Sequence, residues 1–396
     1  MRILFVCAGF QPGLDGVGDY VRLLAEALEA LGHTAAVLAM NDKAIATLAE
    51  AQGPRPYLQL PSVMDWRTRE RHARKFVAAF EPDWVSVQFA CYQWAYQGLP
   101  LRFPHQLQRI AGSHAGLHVM FHELTVGIGL GAPVKHRVLG ALQRELVIRP
   151  LARLRSVKLI HTNIAPHAEV LSRWAIDADV LPLFGNIPIV ESSGEQRAAW
   201  WRDRFGMQRD AYYAAGFFGS LTGEPLSDAF MEALLERAQS SQKRLLIAAA
   251  GHLTEAGEHY FDAKQIQYRG RVEFRRLGRL PAEEVSLFLS TLDLGIASTP
   301  WLYVGKSGSV AAMLEHGLPV AVTRNDLAIK GISRNGMEHE RLLACFGDKD
   351  FAQWLHHVAR QPTRERRSEI AASFARSLTA AMARTNHSDT QEQRHT

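Results

Sequence analysis

The sequence predicts an α/β protein built from two doubly wound Rossmann-like domains of similar size facing a cleft, and three observations carry that expectation. Short β-rich runs alternate with helical patterns through the first half, the alternation weakens at Phe184–Gln196, and a second α/β series begins beyond it. Buried strands separated by helices imply parallel sheets covered on both faces. A chain of 396 residues also exceeds what one hydrophobic core usually supports. The cleft follows because such sheets bind ligands at the carboxyl ends of their strands.

In the first half "RILFVCAG", "TAAVLAM", "WVSVQF", "LHVMFHE", "KLIHTN" and "ADVLPL" read as strands. Between the first two, Val21, Leu24, Leu28 and Leu31 share one face of a helix over Tyr20–Leu31. In the second half the strands are "YYAAGFFGSL", "RLLIAAAG", "VEFRRLG", "LDLGIAS" and "LPVAVT", and the helices include "SDAFMEALLERAQ" and "PAEEVSLFLSTL". The expected boundaries are an N-terminal domain over 1–186 and a C-terminal domain over 187–365. A terminal helix over 366–385 packs back on the first domain, and a polar tail over 386–396 is expected to be disordered.

Composition excludes several classes. Hydrophobic residues make up 47% of the chain, and its apolar runs are far too short to span a bilayer. The first run ends at Pro12-Gly13 with neither a useful charged region nor a small-residue cleavage site, so it is expected to be a buried strand. Cys7, Cys91 and Cys345 form an odd set with no metal-type spacing, which suits a reducing cytoplasm. The net charge of +5 is mild, but basic residues cluster in "RTRERHARK" (Arg67–Lys75) and between Lys135 and Lys158. In the second run Lys135, Arg137, Arg144, Arg149, Arg153, Arg155 and Lys158 face one acid, Glu145, and Pro150 is expected to split the run into two segments. Such runs are solvated helix faces or peripheral contacts with the anionic inner face of a membrane. No binding module or basic-aromatic interleaving accompanies them, so nucleic acid is not expected as a partner.

The most informative stretch runs from Thr291 to Asp326 as strand, loop, helix, stop and strand. Gly305, Lys306, Ser307, Gly308 and Ser309 precede the helical "VAAMLEHG", which Gly317 and Pro319 terminate. Unpaired amides and the positive end of the dipole bind anions at such a helix start, and Lys306 adds a full charge. The alternative is an ordinary N-cap serine on a βαβ helix.

With "GVGDYVRLLAEALEALGH", "PDWVSVQF", "MFHELTVG", "LPLFGNIP", "FFGSL" and the segment from Leu277 to Val322 in this order, the chain resembles the retaining GT-B glycosyltransferases of family four from Met1 to about Asp326. The resemblance implies transfer of a sugar from a nucleotide diphosphate donor of UDP or GDP type to a glycan, lipid-linked or small-molecule hydroxyl, with retention and with neither metal nor other cofactor. It implies that Gly16 and Gly18 sit at the donor diphosphate and acceptor and that His122 contacts the donor sugar. Gly219 and Ser220 then approach the donor from the second domain, and Gly278, Arg279 and Leu280 border the base. Glu315 takes the ribose hydroxyls, while Ser307, Gly308 and Ser309 hold phosphate and sugar. Two departures stand out. Ser307 occupies the position of the family's first helix glutamate, and "SLTGEPLSDAF" lacks the Arg and Lys expected after Gly219, for which Lys306 is the candidate replacement.

Other signals weigh less. "GLDGVGDYV" with Asp42 ending the second strand is a partial dinucleotide fingerprint, since Val21 fills the third glycine position. His114, His118 and His122 have helical metal spacing but fall on a strand, which separates each from the next by about 13 Å across four residues at ~3.3 Å each. "DAD" at Asp177–Asp179 is expected to be turn chemistry without a metal. Of the aromatics in Phe89–Pro100, most are expected in the core, and Trp94 and Tyr96 are candidates to line an acceptor site. A non-catalytic nucleotide-sugar-binding protein and a GT-B sugar-nucleotide epimerase are the alternative functions.

Overall fold

The computed structural model describes residues 1–392 apart from Ser113, His114, Ser220, Thr222, Gly223 and Arg334, with side chains through Arg384. The chain divides into two compact units. Unit 1 comprises Met1–Pro182, Ile329–Ile332 and the chain from Arg367 onward, and unit 2 comprises Leu183–Ala328 and Ser333–Arg366.

Unit 1 carries an eight-stranded sheet. Its strands are β1 (Arg2–Cys7), β2 (Thr34–Asp42), β3 (Ala49–Ala51), β4 (Tyr57–Pro61), β5 (Trp84–Phe89), β6 (Gly116–Phe121), β7 (Val157–Thr162) and β8 (Asp179–Val180), in the order β3-β4-β2-β1-β5-β6-β7-β8. Every pairing is parallel except β3 with β4. Both β3 and β4 were absent from the sequence reading, because each is short and they flank the turn-forming "GPRP". Its helices are α1 (Gly16–Ala30), α2 (Trp66–Phe80), α3 (Phe103–Ala111), α4 (Val134–Gln143) and α5 (Ala165–Arg173).

Unit 2 carries six parallel strands, β9 (Tyr212–Phe218), β10 (Arg244–Ala250), β11 (Val272–Gly278), β12 (Leu294–Ala297), β13 (Val320–Val322) and β14 (Leu343–Cys345), in the order β11-β10-β9-β12-β13-β14. Its helices are α6 (Gly194–Phe205), α7 (Asp228–Ser240), α8 (Glu255–Gln267), α9 (Ala282–Thr291), α10 (Gly308–Glu315) and α11 (Phe351–His357). In both units the first strand lies inside the sheet and the strand order reverses beside it, between β1 and β5 and between β9 and β12. That is the doubly wound topology expected from the sequence, and its ligand crevice lies at the reversal.

Two helices differ from expectation. The terminal helix α12 runs Arg367–Glu392, so it continues past residue 385, and residues 393–396 lie outside the described ones. It belongs to unit 1, where the Phe374 ring packs 6.4 Å from Phe5 and 4.9 Å from His118. Pro150 does not split the basic run. A π-turn at Arg144–Ile148 joins α4 to Arg149–Ala152, and the Arg149 amide bonds back to the Arg144 carbonyl five residues earlier, which carries the proline within a continuous helical path.

A row of buried polar side chains crosses an otherwise apolar face of the unit 1 sheet. Gln88 Nε2 donates to Ser86 Oγ at 2.8 Å, Ser86 Oγ lies 2.8 Å from His118 Nδ1, and His118 Nε2 lies 3.0 Å from His161 Nδ1. Ser86 Oγ accepts from Gln88, and of the two nitrogens in the His118–His161 contact one donates and the other accepts. Burial keeps both rings uncharged at neutral pH. Burial pushes the His118 imidazole well below the usual histidine range and that of His161 down to about 4.

Neutral buried histidines make stability pH-dependent. The unfolded chain takes up protons near pH 6.5 while the folded chain does not, so stability is full above that value and falls as the pH drops toward about 4. From pH 7 to pH 5 His161 alone should remove about 2 kcal/mol. Thermal unfolding across this range should show a falling Tm, and His161→Gln should flatten the fall; an unchanged slope in the variant would mean that other groups carry it.

Candidate functional site

In unit 2 the ladder of three adjacent strands ends in glycine. The Gly219 amide donates to the Ala250 carbonyl at 2.9 Å, and the Gly251 amide to the Gly278 carbonyl at 2.8 Å. Gly219, Gly251 and Gly278 all have positive φ, at 95°, 130° and 64°. A Cβ on Gly251 would lie 2.4 Å from the Gly219 carbonyl oxygen, so only glycine lets these turns stack. The sequence reading named Gly219 and Gly278 but missed Gly251, although it follows "RLLIAAA" as Gly219 follows its own strand.

Beside this ledge, at the reversal between β9 and β12, stands the start of α10. Ser307 caps the helix in extended conformation, its Oγ accepting from the Val310 amide at 3.4 Å and lying 3.0 Å from Ser309 Oγ. Ser309 is the side chain nearest the Gly219 turn, where an added Cβ would lie 3.4 Å from it. The first-turn amides of such a helix lack intrahelical partners. Lys306 ends the preceding 3₁₀ turn, Trp301–Lys306, with Nζ 5.3 Å from the centre of the Tyr303 ring. Thus Gly219, Lys306, Ser307, Gly308 and Ser309 come together. Arg279 is exposed just beyond β11 and Leu280 packs on the core of unit 2, both on the same carboxyl edge. Ser220 lies outside the described residues.

Glu315 is placed differently from a residue open to solvent. It is 3% exposed, and its Oε1 accepts from the Gly185 amide at 2.9 Å. It therefore anchors the segment entering unit 2 to the end of α10, a contact that "LPLFGNIP" gave no means of reading.

In unit 1 Gly16 and Gly18 are in the first turn of α1 and not in a loop, because Asp15 caps the helix by accepting from the Val17 amide at 2.9 Å. The anion position at this helix start is thus filled by the chain's own carboxylate, which Gln93 Nε2 also contacts at 2.7 Å. Burial raises the pKa of Asp15, against the lowering effect of those hydrogen bonds. Gly18 is a packing residue, since a Cβ there would lie 2.8 Å from the Gly9 carbonyl oxygen. Asp42 does not reach outward as a ribose ligand would. Its carboxylate accepts from the Phe10 and Ala44 amides at 3.0 and 2.9 Å and is 1% exposed.

His122 follows β6 and is 6% exposed, its Nε2 lying 2.8 Å from Gln88 Oε1 and its ring edge-on to Tyr20. With Gln88 accepting there and donating to Ser86, the proton of His122 sits on Nε2. The polar row thus runs from His122 through Gln88, Ser86 and His118 to His161. Gln88 and Ser86 were missed because they read as polar interruptions of a strand. His118 lies within β6, so the helical metal spacing with His122 does not exist, and His114 lies outside the described residues. Trp94 is core, 4.1 Å from the Phe103 ring, whereas Tyr96 is 89% exposed. Asp177 and Asp179 are exposed beside the short β8. The three cysteines are buried, and Cys91 Sγ donates to the Leu124 carbonyl at 3.3 Å. Among the described residues no helix is long and apolar enough to cross a membrane.

No protein-family model matches the chain, and no curated protein sequence matches it. Solved structures do. The Anabaena protein Alr3699/HepE, solved in complex with UDP and glucose, aligns with 99% of this chain and 100% of its own at 14% identity and a TM-score of 0.54. WaaG, a glycosyltransferase involved in lipopolysaccharide biosynthesis, aligns over 96% and 98% at 15% identity and a TM-score of 0.54. The UDP-GlcNAc 2-epimerase from Methanocaldococcus jannaschii aligns over 96% and 100% at 12% identity and a TM-score of 0.56. At such identities the likeness is one of fold: this chain has the GT-B fold of two Rossmann-like units.

Proposed function

We propose that the chain is a glycosyltransferase that moves a sugar from a nucleotide diphosphate donor to a hydroxyl acceptor with retention of anomeric configuration and without a metal. The observation that carries this reading is the convergence of the Gly219–Gly251–Gly278 ledge with the start of α10 at the strand-order reversal of unit 2. Glycine turns let a diphosphate approach the backbone, and helix amides with Lys306 neutralise it. Solved neighbours with the same fold carry UDP with glucose.

In the reaction the bond between the anomeric carbon and the phosphate oxygen breaks, and its electron pair leaves with the nucleoside diphosphate. The acceptor oxygen forms the new bond on the same face and passes its proton to the departing phosphate oxygen. Donors fixed at Ser307–Ser309 stabilise the charge that grows there, and preorganised groups of this kind are often the largest catalytic contribution. His122, held as the Nε2-H tautomer, is assigned to the donor sugar, and Gly278, Arg279 and Leu280 to the base. Gly16 and Gly18 act by shaping the unit 1 edge. The working location is the cytoplasm, with peripheral contact at the inner membrane face.

A second reading has a specific observation behind it, because an epimerase shares the fold. Incubation of UDP- and GDP-sugars with an acceptor panel, followed by NMR of the product anomers, separates the two. A retained-configuration glycoside supports transfer; conversion of donor with no acceptor present establishes epimerisation; stable binding with neither leaves a nucleotide-sugar-binding protein.

For Lys306→Ala we expect nucleoside diphosphate affinity to fall by about 1.5–3 kcal/mol while the bare nucleoside is nearly unaffected, because a charge-assisted contact is lost. Calorimetric titration of both ligands checks this, and equal losses would remove Lys306 from the phosphate site. Glu315→Gln should lower Tm by weakening the Gly185 contact, at a cost of about 1–2 kcal/mol, and should weaken donors that carry ribose hydroxyls but not a 2′,3′-dideoxy donor. Lower stability with unchanged donor affinity would reduce Glu315 to an anchor for Gly185.

The membrane contact is assigned to the helical path beginning with α4. Val134, Val138, Leu142 and Leu146 recur every fourth residue and are 72%, 57%, 44% and 45% exposed, with Lys135 and Arg137 beside them. An apolar stripe edged by cations suits an anionic bilayer. Val138→Glu with Leu142→Glu should abolish sedimentation with anionic vesicles at low salt while leaving Tm unchanged, and wild-type protein that fails to sediment would exclude this contact.

A further inference from the structure

We infer that the groove between α2 and α3 in unit 1 is a second anion-binding site, separate from the nucleotide site proposed in unit 2, and that it takes a ligand carrying two or more clustered phosphates. The groove encloses a cavity of roughly 1020 Å³. Arg67, Arg71, Arg74 and Lys75 line it from α2, Arg102 from the cap position of α3 and Arg109 from α3 itself. Against these six cations stands one lining carboxylate, Glu70, which already pairs with Arg109 at 2.7 Å.

The fold does not need this charge. The arginine that α2 uses structurally is Arg69, which is 4% exposed and donates to the Met40 carbonyl and Asn41 Oδ1 at 2.9 and 2.7 Å. The four lining cations of α2 are exposed on its other side. Arg67 with Arg71, and Arg71 with Lys75, are like-charge pairs four residues apart, each destabilising the helix by about 0.2–0.5 kcal/mol. A solvated face disperses its charges or alternates their sign, whereas here both helices turn one sign into one cavity. Guanidinium forks match phosphate oxygens two at a time, and several around one concavity favour adjacent phosphates over a single carboxylate. Trp66 and Leu101 line one end of the groove beside the starts of α2 and α3, which follow β4 and β5 on the edge where parallel strands end and such folds bind ligands. Its volume is that of a site for a small molecule.

The probe is inorganic pyrophosphate, titrated calorimetrically at low salt into the full chain. Wild type should bind it, and Arg71→Gln with Arg74→Gln and Arg102→Gln should weaken binding at least tenfold at unchanged Tm. Lysine at the same three positions should give an intermediate loss, because charge remains and the forks do not. Neutralising the exposed Arg202, Arg269 and Arg376 instead removes equal charge elsewhere and should change binding less than twofold. Equal losses in the two neutralised triples would reduce the effect to net charge and overturn the site. Loss in Lys306→Ala with retention in the groove variant would place pyrophosphate in unit 2 and overturn it too, while the reverse pattern would uphold the groove whatever becomes of the nucleotide site. Vesicles of phosphatidic acid in phosphatidylcholine identify the source. Groove-dependent sedimentation assigns the phosphates to lipid headgroups, and groove dependence confined to pyrophosphate assigns them to a soluble ligand.

Discussion

The backbone ladder of unit 2 continues beyond its strands, and the arrangement of the site depends on that continuation. The amides of Gly219 and Gly251 each bond one strand further across, to Ala250 and Gly278, after their own strands have ended or are ending. Two consequences follow from one geometry. The turns lie close enough that a Cβ at Gly251 would strike the Gly219 carbonyl, and the Gly219 turn comes close enough to meet Ser309 at the start of α10. A parallel sheet brings strand ends to one edge in any case. What the glycines add is a bare backbone surface there, flush with a helix terminus.

The helix that follows the first strand of unit 1 starts with the opposite electrostatics to α10. There Asp15 fills the anion position, and Asp19 accepts from the Gly13 amide at 3.1 Å. Asp42 closes the neighbouring strand end with two further amide contacts. A diphosphate brought against α1 would meet carboxylates, whereas one brought against α10 meets amides and Lys306. The contrast between the two helix starts has a local cause, the residue at the N-cap: Asp15 in one and Ser307 in the other.

The same distinction explains what the sequence could and could not disclose. The strands are legible because parallel strands buried on both faces are continuous apolar runs, as "RLLIAAA" is. The strand-loop-helix unit around Lys306 is legible because Gly, Ser and Pro mark its turns and caps locally. The role of Asp15 is not, since an aspartate before "GVG" is a cap only if the helix begins at Gly16, and apolar periodicity alone starts it at Tyr20. The sequence offers Glu315 as a ribose ligand and hides its contact with Gly185, which is 130 residues away. Pro150 misled for a different reason. The rule that proline ends a helix assumes the i to i+4 ladder, and one π-turn satisfies the backbone by another pattern.

The polar row under His122 shows the same non-local logic at its strongest. Ser86, Gln88, His118 and His161 are each an unremarkable polar residue in an apolar strand, and each would be costly to bury alone. Register removes the cost, because β5 sets Ser86 opposite His118 and β6 sets Met120 opposite His161, so the polar atoms meet in one file. Gln88 joins two neighbours of the file, donating to Ser86 and accepting from His122. His122 Nε2 is thereby committed to Gln88 Oε1. A histidine at a strand end could otherwise turn either nitrogen toward a ligand; here the interior of the sheet makes the choice, and the residues that make it touch nothing outside the fold.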